Sequence, residues 1–389
     1  MKILLINKFH YIKGGADRHY LELGENLAKQ GHTINYFSMQ DVHNQYSEDE
    51  KYFVDNMDIA EVKTKKNIGK TVLRMFYNKQ AQRNLQRMID QQKPDIAHLH
   101  NIYHHLSPSI INTLKNNNIP IVMTVHDYYL YSPVYSLFLN GKVFDPEKNK
   151  YWQIIKHKAI KGSLLASILA SMVHVLHYSL YKKIDCFICP SQFMADYIRK
   201  VYPKAKIKVI NNFTEMKHES VAKDDYYLYV GRIIEEKGVG LILQAAKELP
   251  HYNFHIAGTG PDEKKYKKEY DLPNIIWLGY LKNGELKKEI AKAQASIVPS
   301  VWYENCSLGV LESLALNTPV IASDMGGNPE LVINDYNGLI FKNNDIDSLI
   351  TAIKKINSAQ FNGNAIASSD KYSWEKFYQK LMNVYENVL

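Results

Sequence analysis

The sequence predicts an α/β protein made of two doubly wound, parallel-sheet domains. Three observations lead there. The chain has 389 residues, more than the ~250–300 at which one hydrophobic core stops growing. Short apolar runs alternate with helix-length amphipathic segments, the rhythm of parallel strands covered on both faces. That rhythm runs through once and then restarts. Residues 2–6, 34–37, 96–99, 121–125 and 186–189 form the first series; 227–230, 253–257, 275–278, 295–298, 319–322 and 338–341 form the second. The seam is expected near 202–212. This gives a first domain over 1–205 and a second over 206–370, with a C-terminal helix at 371–389 after it.

The first apolar run is interrupted at once by Lys8, so it is expected to be a buried strand and not a leader peptide. A loop with Gly14 and Gly15 follows, then a helix over 17–30 closed by Gly31. Glycine suits that place because it adopts the left-handed backbone that ends a helix. Two stretches break the rhythm. Residues 62–89 hold Lys63, Lys65, Lys66, Lys70, Arg74, Lys79, Arg83 and Arg87 with no acid. Residues 162–181 carry no formal charge and are flanked by Lys156, Lys158, Lys161, Lys182 and Lys183. Twenty residues could cross a bilayer. However, Ser163, Ser167, Ser171 and His174 share one side, opposite Leu165, Ile168, Leu169, Met172 and Leu176. An amphipathic helix, packed or lying on a membrane, is expected there.

Hydrophobic residues at 46% and charged residues at 23% exclude a mainly disordered chain. Three cysteines exclude a disulfide framework, and no zinc-finger spacing is present. The thiols fit a reducing compartment. A net charge of +8 points to an anionic partner: nucleotide phosphate, membrane surface or nucleic acid.

Open parallel sheets bind ligands beyond the carboxyl ends of their strands. Gly14-Gly15 after the first strand can bring backbone N–H groups to an anion, or can be a plain turn. There is no Gly-x-Gly-x-x-Gly followed by a ribose-binding acid, which weighs against an oxidoreductase. Gly231-Arg232 and Lys237-Gly238 put two cations at one strand end, where Arg grips phosphate in bidentate fashion and Lys adds a point charge. Gly258-Thr259-Gly260-Pro261 forms another close-approach loop. The richest segment runs from Pro299 to Ser313. Glu304 and Glu312 bracket a small-residue loop that opens a helix near Ser307 or Leu308, whose first N–H groups face any bound anion.

These motifs, in this order, resemble family 4 retaining glycosyltransferases. The resemblance extends through Ala315-Leu316-Asn317-Thr318-Pro319-Val320 and, more loosely, through His98-Leu99-His100-Asn101 and Thr124-Val125-His126-Asp127. It implies the GT-B architecture, two facing Rossmann-like domains, with donor nucleotide mainly on the second, acceptor mainly on the first, and a last helix crossing back. By that resemblance Glu312 takes the ribose hydroxyls. Arg232, Lys237 and the N–H groups near Ser307, Leu308 and Gly309 hold the diphosphate. Glu304 meets the donor sugar, the Gly279-Tyr280 turn meets the base, and Gly14-Gly15 close over the phosphates. Gly231, Gly258 and Gly260 shape the strand-end loops, and His126 lies against donor sugar and acceptor. The catalytic set is then Arg232, Lys237, Glu304 and His126.

The chain departs from close relatives in two places. Ser132-Pro133 is not followed by the cysteines that some carry, and Asn305-Cys306-Ser307 replaces the commoner Pro-Phe-Gly. Cys306 is read as a small loop residue, and Cys186 and Cys189 as core. No metal or other cofactor is expected, since two cations and a helix terminus can stabilise the departing diphosphate. The expected function is retaining transfer of a hexosyl-type sugar from a UDP- or GDP-sugar to a lipid-linked glycan in surface polysaccharide synthesis. The expected place is the cytoplasmic face of an anionic membrane, with no nucleic-acid partner. The competing readings are a nucleotide-sugar epimerase of the same fold and a non-catalytic glycan- or membrane-binding protein.

Overall fold

In a computed structural model, residues 1–57, 68–356, 358–361 and 363–389 are described. Two six-stranded sheets organise the chain, and both are parallel throughout. The first contains β1 (Lys2–Ile6), β2 (Thr33–Phe37), β3 (Ile96–Leu99), β4 (Ile121–Thr124), β7 (Cys186–Cys189) and β8 (Ile207–Val209), in the order β2-β1-β3-β4-β7-β8. The second contains β9 (Tyr227–Val230), β10 (Phe254–Ala257), β11 (Ile275–Gly279), β12 (Ala295–Val298), β13 (Val320–Ser323) and β14 (Gly338–Phe341), in the order β11-β10-β9-β12-β13-β14. A short hairpin, β5 (Phe138–Leu139) and β6 (Lys142–Val143), interrupts the first series. Its turn residues Asn140 and Gly141 both have positive φ, as a tight hairpin turn requires.

The strand order locates the functional region. Strand order reverses between β1 and β3 in one sheet and between β9 and β12 in the other, and such switch points open a crevice at the strand carboxyl ends. Gly14 and His100 follow the first pair; Gly231 and Glu304 follow the second.

Parallel strands are buried on both faces, and β1 illustrates the consequence. Leu4 and Ile6 pack into a cluster with the helix Lys79–Gln92, whereas Ile3 and Leu5 pack into one with Phe377, Leu381 and Tyr385. The alternation follows from the period-two side-chain geometry of a strand. The second cluster shows that the last helix, Trp374–Glu386, lies on the first sheet. Ser373 caps it by accepting from the Lys376 N–H.

Two sequence expectations change, and a third falls partly outside the described residues. β8 is bonded into the first sheet, so that sheet continues beyond residue 205, where the first domain was expected to end. In the basic stretch, residues 62–67, with Lys63, Lys65 and Lys66, lie outside the described residues, as does the Lys70 side chain. The segment 162–181 forms the helix Leu164–Tyr181, but its polar side faces inward: Ser167, Ser171, His174 and His177 are buried. Hydrogen bonds hold that face in place. His174 Nε2 meets the Tyr129 carbonyl at 2.7 Å, and His177 Nε2 meets the Phe76 carbonyl at 3.2 Å.

Phe377 is 3% exposed, and its ring centroid lies 4.8 Å from that of Phe213. Phe377→Ala is expected to lower unfolding free energy by about 3–5 kcal/mol, the cost of emptying a buried aromatic site. Urea titration measures it, and a loss below about 1 kcal/mol would detach this helix from the first core.

Candidate donor-site cleft

The loops at the ends of β9, β10 and β12 press together at glycines. At Gly238, φ is 72° and a Cβ would stand 1.9 Å from the Pro299 carbonyl oxygen. At Gly258, φ is 133° and a Cβ would stand 1.9 Å from the Gly231 oxygen. Any side chain would push the strand-end loops apart, and Gly260 is crowded against Ile233 in the same way. Gly231, Gly258 and Gly260 therefore shape the crevice through backbone contact. Arg232 projects from it into solvent. Gly279 ends β11, and its carbonyl accepts from the Gly258 N–H at 2.7 Å. Tyr280 beyond it is 75% exposed, at the rim.

Close approach of the two loops sets Lys237 against Glu304. Lys237 Nζ lies 2.7 Å from Glu304 Oε1, which also accepts from Trp302 Nε1 at 3.0 Å and from Ser300 Oγ. The ammonium stands 5.0 Å from the Trp302 ring centre. Burial opposes the charge on Glu304, but Lys237 and these donors hold its carboxyl below the ordinary value. One carboxylate oxygen is thus filled by protein donors, and its partner ammonium is held at the strand end.

Glu312 lies one turn into the helix Leu308–Ala315, which follows Ser307 at the N-cap position. The first N–H groups of that helix, at Leu308 and Gly309, have no intrahelical acceptors and open toward the first domain. There Gly15 faces the Leu308 side chain, whose Cδ1 lies 3.5 Å from where a Gly15 Cβ would be, and a Cβ at Gly14 would meet nothing within 4 Å. The Glu312 side chain is 4% exposed and its counter-charge crosses the cleft: Arg18 Nη1 is 2.5 Å from Glu312 Oε1. Arg18 Nε also holds Glu22 at 2.7 Å. Burial still raises the Glu312 carboxyl above its usual range.

Sequence reading did not identify Arg18. The only signal was a cation one turn into the helix after Gly14-Gly15. Two more cross-cleft contacts were equally invisible. Asn305 Nδ2 donates to the Val125 carbonyl at 2.9 Å, and Ser191 Oγ donates to Asn305 Oδ1 at 2.9 Å. Glu330 accepts from the Gln192 and Phe193 N–H groups, both at 2.7 Å, capping the helix Gln192–Val201 from the opposite domain. Cys306 is buried and its thiol is pushed up to about 12, so it carries no nucleophilic thiolate at neutral pH.

On the first-domain side, His126 belongs to a buried group with His19, His98 and His100. His98 bonds Tyr385 OH and Thr124 Oγ1, each at 2.7 Å, and stacks on His100 at 4.6 Å. His100 Nδ1 lies 2.8 Å from His126 Nε2. Burial lowers all four, His19 to about 4 and His98 to about 3, so the rings are neutral and one nitrogen of each close pair must donate. His100 Nε2 is buried without a partner. A bare lone pair is tolerated there more readily than an orphaned N–H. His100 Nδ1–H therefore donates to His126 Nε2, leaving the proton of His126, a partly exposed residue, on Nδ1. Among the described residues no group of three or more His, Cys, Asp or Glu is arranged to hold a metal ion.

The histidines set the acid response. Their folded values lie below the ordinary 6.5, so the unfolded chain takes up protons first. The stability they confer is complete above pH ~6.5 and is lost as pH falls toward the folded values. Melting temperature is expected to drop steadily from pH 7 to pH 5 in differential scanning calorimetry, and less so in His98→Asn. A flat profile would contradict neutral burial.

Known proteins match this arrangement. The model of the Glycosyltransferase Family 4 matches residues 13–217, and that of Glycosyl transferases group 1 matches residues 211–369. An uncharacterized glycosyltransferase of Methanocaldococcus jannaschii is 29% identical over 212 residues, 52% of this chain and 60% of that protein. The chain spans about half the length of the first such relatives. An uncharacterized 42.6 kDa protein in the cps region of Klebsiella pneumoniae is 25% identical over 85% of this chain and 87% of its own length. The putative colanic acid biosynthesis glycosyltransferase WcaL of Escherichia coli is 24% identical over 53% of this chain and 56% of its own. Sucrose-phosphate synthase from Thermosynechococcus elongatus superposes with TM-score 0.74 at 19% identity, covering 99% and 98% of the two chains. Anabaena HepE, in complex with UDP-glucose, superposes at 0.64 with 14% identity over the full length of both. Two parallel-sheet α/β domains facing across a cleft make this a GT-B fold, and the chain belongs to glycosyltransferase family 4.

Proposed function

We propose that this protein transfers a hexosyl-type sugar, with retention and without a metal, from a UDP- or GDP-linked donor to a lipid-linked glycan in surface polysaccharide synthesis. The observation that carries the donor half is Glu312: a carboxylate 4% exposed, one turn inside a helix whose N-terminus opens on the cleft. Ribose hydroxyls donate to such a carboxylate and exchange for Arg18. The diphosphate then meets the N–H groups of Leu308 and Gly309, with Arg232 and Lys237 as counter-charges. Binding of UDP and UDP-glucose by Anabaena HepE supports the same donor class. Relatives from the cps region and colanic acid biosynthesis support a polysaccharide product.

In transfer, negative charge grows on the leaving phosphate while cationic character develops at the sugar. Fixed donors aimed at that phosphate lower the barrier without reorganising. Glu304 serves by holding Lys237 at the strand end, and its second oxygen is left for a hydroxyl of the donor sugar. His126 Nδ1–H donates toward the sugar or acceptor. The departing phosphate takes the acceptor proton on the same face, which gives retention. The enzyme works at the cytoplasmic face of the membrane, where the lipid carrying the acceptor resides.

Glu312→Ala is expected to weaken UDP or GDP binding roughly 10- to 150-fold, the value of hydrogen bonds to a charged acceptor. Isothermal titration with both nucleotides measures it, and unchanged affinity for both would remove the ribose assignment. Arg232→Ala and Lys237→Ala should each lower turnover by the ~3–4 kcal/mol of a lost oxyanion donor, with chelator having little effect. Turnover within about threefold of wild type would assign the phosphate to other groups.

A further inference from the structure

The helix Leu164–Tyr181 is mounted with its apolar face outward. Leu165 is 76% exposed, Leu176 58%, Met172 53% and Val175 51%, and helical spacing places them on one stripe. Trp152, 63% exposed, stands on the neighbouring helix Lys150–Lys156, and Leu73, 69% exposed, on the helix Ile68–Phe76; both helices pack against it. In a freely dissolved domain the opposite orientation is expected, because exposing such a stripe forfeits the hydrophobic gain of burial. The helix cannot simply turn over. His174 is fixed by Tyr151 OH at 2.9 Å and the Tyr129 carbonyl at 2.7 Å, and His177 by the Phe76 carbonyl. The same bonds argue against a membrane span. Leaving the domain would strip them, and 18 residues with a mean hydropathy of 1.4 are short of the ~20 mainly apolar residues a span uses.

Charge identifies what covers the stripe. Between Glu147 and Asp185 the chain has Lys148, Lys150, Lys156, Lys158, Lys161, Lys182 and Lys183 and no acid. Lys156, Lys158, Lys161, Lys182 and Lys183 are exposed at the two ends of the helix. Lys182 packs its ammonium 4.3 Å from the Tyr178 ring centre, and Lys183 donates to Asn112 Oδ1 at 2.8 Å; neither is neutralised by a carboxylate among the described residues. An apolar stripe with cations at its rim matches an anionic lipid surface, with the side chains below the headgroups and the lysines among the phosphates. A second copy would bring the same lysines face to face.

We propose that this outward face of the helix Leu164–Tyr181, with Trp152 and Leu73, docks the acceptor-side domain on an anionic phospholipid bilayer. The helix lies in the interface plane. The proposal supplies a partner for the lipid-linked acceptor of the preceding reading, but its test reads binding alone, so the two fail separately.

The test is flotation of the full chain with vesicles of phosphatidylcholine, with or without phosphatidylglycerol. Wild type should float only with the anionic vesicles and sediment again as salt is raised. Met172→Glu/Leu176→Glu should abolish flotation while UDP affinity and melting temperature stay unchanged. Each Lys→Gln at 158, 182 or 183 should lower the partition coefficient roughly fivefold. Wild type remaining unbound at low salt with anionic vesicles overturns the proposal. So does a dimer in light scattering that the Met172→Glu/Leu176→Glu pair dissolves without any effect on flotation. Equal flotation of wild type and that variant would overturn the assigned face.

Discussion

The ion pair between Arg18 and Glu312 joins the two halves of this molecule. A carboxylate as buried as Glu312 cannot remain charged without a nearby cation, and its own domain supplies none at contact distance among the described residues. The cation comes from the first helix of the other domain, so the electrostatics around Glu312 and the closure of the cleft are one problem. Asn305 and Glu330 add neutral and charged hydrogen bonds across the same seam. Under the proposed function, a donor ribose reaching Glu312 would replace one positive partner with two hydroxyls, which would link nucleotide binding to cross-cleft contact.

Backbone geometry makes the rest of the site possible. Gly238 and Gly258 let neighbouring strand-end loops touch at distances that exclude a Cβ. That contact brings Lys237 to Glu304 and keeps Trp302 and Ser300 on the same carboxylate oxygen. The first domain faces this with neutral histidines. Their bonds run from Tyr385 on the last helix through His98, and by stacking through His100 to His126. The returning helix therefore does more than close the first core: it supports the His126 ring.

The helix Leu164–Tyr181 shows how a tertiary context inverts a local pattern. Its sequence reads as amphipathic, and amphipathic helices of soluble domains bury the apolar side. Here buried polar acceptors, the Tyr129 and Phe76 carbonyls, need donors more than the core needs further hydrocarbon. The histidines turn inward to meet them, the buried serines share that inward side, and the leucines are left outside.

The sequence by itself determined the two parallel sheets, the places of nearly all their strands, the strand-end loops that carry Gly14, Arg232, Lys237 and Glu304, and the helix that carries Glu312. Those features are local: apolar periodicity, glycine at tight backbone positions, and cations or acids just after strands. The family was legible for the same reason, since its motifs are short and ordered along the chain. The tertiary structure alone decided that β8 belongs to the first sheet and that Arg18 balances Glu312. It also decided that Glu330 caps a helix in the opposite domain, that His100 sets the proton on His126, and that a helix faces outward by its apolar side. Each depends on two segments distant in the chain arriving at one place. That happens only when both sheets are built and packed, because burial then fixes which polar groups must be paired.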